Sequence, residues 1–87
     1  MDMKQDLNKS IVELAARAIT AREVMEFMRE KEERQAYGEW TARWMTLTDV
    51  LSLLTGRGVT KCVAAQDLKD IIKEYSVDVP PVGLEKP

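Results

Sequence analysis

Leu54-Thr55-Gly56-Arg57-Gly58-Val59-Thr60-Lys61, followed by the run from Cys62 to Tyr75, is the stretch on which the fold turns. It reads as the end of one helix, a glycine turn carrying two cations, a threonine cap and a second amphipathic helix. Leu54 closes the first helix, and Gly56 or Gly58 supplies the positive φ that ends it. Val59 and Thr60 start the next, with Ala64 and Leu68 facing inward. That order of apolar, small, β-branched and capping residues predicts a helix-turn-helix-like unit.

Working outward, three further helix starts are expected. Ser10 with Glu13 and Thr20 with Glu23 fit the capping box, and Thr46 with Asp49 is its acidic variant. The apolar spacing agrees. Ile11, Leu14, Ala15 and Ala18 share one face, and Ala21, Val24, Phe27 and Met28 share the next. Leu47, Val50, Leu51 and Leu54 follow, then Ala64, Leu68, Ile71, Ile72 and Tyr75. The fold class is therefore all-α, a compact domain of four or five helices over residues 1–79. A flexible, proline-containing C-terminal tail, 80–87, is expected beyond it.

Between these faces runs Arg29-Glu30-Lys31-Glu32-Glu33-Arg34-Gln35, with no apolar residue, which reads as a solvated helical extension. Gly38 should then break or bend the chain. Tyr37, Trp40 and Trp44 fall at i, i+3 and i+7, on one face of a helix. The two tryptophans suit core anchors, because large aromatics supply buried area. The alternative is an exposed protein-binding patch formed with Tyr37. Met25, Met28 and Met45 read as adaptable core residues.

Shifting the chain by 40 residues superimposes Leu14, Arg17 and Thr20 on Leu54, Arg57 and Thr60. The two stretches would then be paired helical hairpins. The first carries Glu13, Glu23 and Glu26 near its turn, which repel phosphate. The second carries Arg57 and Lys61 and no acid between 55 and 66. Free N–H groups at a helix start beside two cations suit a phosphate. On the last helix, Lys69 and Lys73 flank one side of the apolar stripe, and Asp67, Asp70 and Glu74 flank the other. A DNA contact would thus use Arg57, Thr60 and Lys61 on phosphate, with Gln66, Lys69 and Lys73 nearest the groove.

Composition narrows the chemistry. Eighty-seven residues make one domain. A modest core at this size would benefit from a partner or a second copy, so a homodimer is one arrangement to consider. The formal charge of -2 gives no global attraction to nucleic acid or anionic membrane, so any polyanion contact must be local. There is no histidine and one cysteine, Cys62. This excludes an intramolecular disulfide, a histidine proton shuttle and histidine-containing zinc sites. No catalytic constellation, metal site or cofactor motif can be assembled, and Thr55–Gly58 lacks the Walker spacing. Cys62 is expected in the first turn of the last helix, where dipole and cations would lower its pKa, although burial as a small hydrophobe is the commoner fate. Residues 1–9 are polar, and no apolar run is long enough to span a membrane. These features predict a cytoplasmic, non-enzymatic protein. Its leading function is a small DNA-binding regulator, and the alternative is an adaptor or inhibitor that binds another protein.

Overall fold

A computed structural model of the chain describes residues 3–76, without the side chains of Lys4 and Lys61. The expected tail 80–87 and the domain end at 79 lie outside the described residues. Those residues form three α-helices, α1 (Met3–Glu30), α2 (Arg34–Thr55) and α3 (Ala65–Tyr75), with a short 3-10 turn at Val59–Lys61. No strand occurs among them, and none of their helices is long and apolar enough to cross a membrane. The class is all-α, as expected, but the helices number three rather than four or five.

The difference lies at the candidate caps, none of which starts a helix. Ser10 and Thr20 lie inside α1, and Thr46 lies inside α2. An N-cap contributes about 1 kcal/mol, but only if the helix is interrupted there. The segment Ala15-Ala16-Arg17-Ala18-Ile19-Thr20-Ala21-Arg22-Glu23 holds neither glycine nor proline and is rich in strong helix formers. Continuing the helix keeps every backbone bond, so the hydroxyl cap loses. The 40-residue repeat therefore has no common geometry, since its first copy is a single uninterrupted helix. Gly38 also sits within α2 without breaking it.

What ends α1 lies inside the charged run: Arg29 and Glu30 close α1, Arg34 and Gln35 open α2, and the solvated helical extension is broken by a turn at 31–33. Glu32 takes φ 58°, in the left-handed region. The Glu33 N–H donates to the Met28 carbonyl at 3.0 Å, and the Glu32 N–H to the Arg29 carbonyl at 3.1 Å. These are the two bonds of a Schellman motif, which reverses the chain within residues 31–33. Asp6 in the first turn of α1 and Arg29 in its last suit the helix dipole.

At about 1.5 Å per residue, the 28 residues of α1 span about 42 Å, close to the 47 Å long axis of the molecule. α1 is thus the spine against which both α2 and α3 pack. Ala15, Ala18 and Ala21 are buried along it, and their small size admits both neighbours closely. Ile11, Leu51, Cys62, Leu68 and Ile71 complete the core, with Trp44, Leu47, Ile72 and Tyr75 packed around it. Of the methionines, Met25 is buried, while Met45 is exposed.

α2 stops at Gly56, whose φ of 75° is the left-handed cap expected of that glycine. Its N–H donates to the Ser52 carbonyl at 3.0 Å, and the Ser52 hydroxyl donates to the Arg57 carbonyl at 2.6 Å. The last helix then starts later than expected. Thr60 lies in the 3-10 turn and caps nothing. Ala64 occupies the N-cap position, with no side-chain cap. Nine residues, 56–64, separate α2 from α3, where a helix-turn-helix uses a turn of three or four. The longer connection lets Cys62 reach the core and seats α3 on α1.

Candidate functional site

The expected DNA-contacting residues do not form one free basic surface. The Arg57 guanidinium is hydrogen-bonded and ion-paired to Glu74 of α3, with side-chain exposures of 29% and 57%. Gln66 donates to the Asp70 carboxylate at 3.0 Å. Thr60 is exposed in the 3-10 turn, and the side chain of Lys61 lies outside the described residues. Lys69 and Lys73 are exposed on α3. Lys69 borders a hollow of about 360 Å³ that it shares with Glu23, Glu26 and Glu30 of α1. Those carboxylates would oppose a phosphate beside Lys69.

Cys62 is fully buried and lies ahead of α3 rather than in its first turn. Burial pushes its thiol pKa up. A hydrogen bond with the Thr55 side chain and the charge of Arg57 act in the opposite sense, and Asp67 adds to the rise. The lowered, reactive thiol that helix dipole and cations would give is therefore not formed. Arg22 closes this corner, donating to the Val63 carbonyl at 3.3 Å with its guanidinium carbon 5.4 Å from the Trp44 ring centre.

The three aromatic candidates share α2 but serve different surroundings. Trp44 packs against the core, and its indole Nε1 is buried without a hydrogen-bond partner. Tyr37 is half-buried in a small hollow at the hairpin tip, between Met28 and Arg34. Trp40 is also half-buried and lines an open groove of about 710 Å³ between α1 and α2.

That groove is built by helical periodicity. α1 contributes Arg17, Thr20 and Ala21, and α2 contributes Trp40, Arg43 and Leu47. Spacings of three, four and seven put each set on one helix face. Ala21, Trp40 and Leu47 make an apolar floor, and Ala42 and Thr46 are exposed along it. The Arg43 guanidinium lies over the Trp40 ring at 4.7 Å, a cation–π contact that holds its charge at the rim. Among the described residues no carboxylate lines the groove, and Arg17 and Arg43 form no ion pair or hydrogen bond. Glu13 and Glu39 stand one turn before them and are exposed, joined to neither.

No family model, no curated protein and no solved structure matches the chain. Of the groove's lining, Trp40 is a candidate from sequence alone, whereas Arg17 stands out there only as the counterpart of Arg57 in the repeat and Arg43 carries no site signal. The signal that would have found the groove is the i, i+3, i+7 set of Trp40, Arg43 and Leu47 paired with Arg17 and Ala21 on an antiparallel neighbour.

Proposed function

We propose that the protein is a non-enzymatic adaptor or inhibitor that binds a helix of another protein in the groove between α1 and α2. The observation that supports this most is the groove itself, about 710 Å³ of open space with Trp40 in its apolar floor. Tryptophan and arginine are the residues most often found at the energetic centre of protein interfaces. An all-helical face offers no free backbone edge to an extended peptide. A helix brings its backbone bonds already satisfied and presents an apolar stripe of the kind that helix-in-groove docking uses. Trp40 and Leu47 are seven residues apart, about 10 Å along α2, which is two turns of a docked helix.

Site-specific photo-crosslinking tests this reading. A photoreactive residue replaces Thr46 in the groove or, as the control, Lys69 on α3. The expected result is an adduct from position 46 to an amphipathic helical segment of a protein, identified by mass spectrometry, with none from position 69. Equal yields from the two positions would refute the groove as the binding face.

A second reading, DNA binding through Arg57, Thr60, Lys61, Gln66, Lys69 and Lys73, rests on the acid-free stretch 55–66 and the exposure of Lys69 and Lys73. The pairing of Arg57 with Glu74 weighs against it. Its test is the salt dependence of duplex binding, which should weaken in an Arg57→Ala/Lys61→Ala variant if phosphates are contacted there.

A further inference from the structure

We infer that the helix received by the α1/α2 groove is acidic, with a carboxylate on each edge of its apolar stripe, one directed at Arg17 and the other at Arg43. This rests on the reading of the groove as a helix-docking site and adds the chemistry of the partner.

Three observations lead to it. The groove carries one guanidinium on each wall and no carboxylate in its lining. Arg29 pairs with Glu26, Arg57 with Glu74 and Arg22 with the Val63 carbonyl, while Arg34 is exposed at the hairpin tip, outside the groove. Arg17 and Arg43 have no such partner among the described residues, and Arg43 is held over Trp40, so its donors project from a fixed platform. A guanidinium fixed in this way loses little freedom on pairing with a carboxylate.

The same charges disfavour a second copy of the chain as occupant. A twofold interface would set one groove against the other, and the described lining offers no carboxylate to receive the guanidiniums of the opposite copy. Like charges across an interface suppress association. A partner with acids flanking two turns of apolar residues reverses that sign, and it presents an apolar side to Ala21, Trp40 and Leu47.

Selection from a display library of amphipathic 18-residue helices, with the stripe-flanking positions fully randomised, tests the inference on the whole chain. Binders are assigned to the groove when an Ala42→Gln/Thr46→Gln variant releases them. Both positions are exposed, so longer uncharged side chains crowd the groove without touching the core. Enrichment of Asp and Glu at the flanking positions is expected. An Arg17→Gln or Arg43→Gln change should weaken those binders roughly three- to tenfold at low salt, with the difference shrinking at about 1 M salt. Groove binders with no acidic enrichment, or unaffected by the arginine variants, would overturn the acidic partner while leaving the docking site standing. Absence of any binder released by the groove variant would remove both.

Discussion

Replacing Glu32 with glycine should stabilise the fold by about 0.5–1 kcal/mol. Glu32 is the left-handed residue of the turn that joins the two walls of the groove, with φ 58°. Holding an L-residue in that conformation costs about 1–2 kcal/mol, and glycine removes the clash. Glycine also adds freedom to the unfolded chain, which returns roughly 0.5–1 kcal/mol. The side chain is exposed and forms no ion pair among the described residues, so little contact is lost. At this chain length the gain corresponds to about 2–8 °C in Tm. Thermal and urea unfolding of three variants separates the causes. Glu32→Gln removes only an acid near a helix C-terminus, which is itself mildly favourable. Glu32→Ala removes the side chain but keeps the β-carbon clash. Glu32→Gly alone relieves the backbone. If glycine were no more stable than alanine, the assignment of backbone strain to this turn would be refuted.

Ala64→Ser should stabilise by about 1 kcal/mol, because alanine is among the poorest N-cap residues and α3 begins there without a side-chain cap; urea denaturation reads it directly. Arg57→Ala should cost under about 1 kcal/mol, since its Glu74 partner is more than half exposed, and the same unfolding curves measure it. Cys62 should make stability fall with rising pH in the alkaline range. Above the ordinary thiol value of about 8.5 the unfolded chain has released its proton while the folded chain, with its raised pKa, retains it, so the unfolded state binds fewer protons. The comparison is with Cys62→Ala, whose profile should lack that component, and alkylation of the native thiol should be slow until denaturant is added.

The helical class was legible because apolar spacing of three and four residues persists along the chain; the strand-like alternation of Trp40, Ala42 and Trp44 is short and has no second strand to pair with. Helix boundaries were less so. Thr20 and Thr46 carry the local signature of a cap, yet they sit among strong helix formers that make interruption unfavourable. Glu32 shows the converse case. It is a poor residue for a left-handed turn, and the hairpin forms there because α1 and α2 gain their packing only if the chain reverses. The start of α3 was misplaced for a related reason, as burial of Cys62 draws residues 62–64 out of helical geometry. The aromatic candidates were placed on the correct helix, but single-helix periodicity could not say which neighbour each would meet. Trp44 went to the core and Trp40 to the groove because α3 covers one side of the hairpin and not the other. Arg17 and Arg43 carry no site signal in the sequence, because their significance lies in facing each other across two helices, a relation that only the hairpin register creates.

The account is tested most directly by amide chemical-shift mapping of the isotopically labelled chain titrated with a groove-selected acidic helix. Perturbations concentrated on residues 16–24 of α1 and 40–50 of α2, together with a shift of the Trp40 indole signal, are the predicted result. Perturbations concentrated on residues 55–76, with the α1/α2 groove unchanged, would contradict the central claim and move the binding face to the α3 end of the molecule.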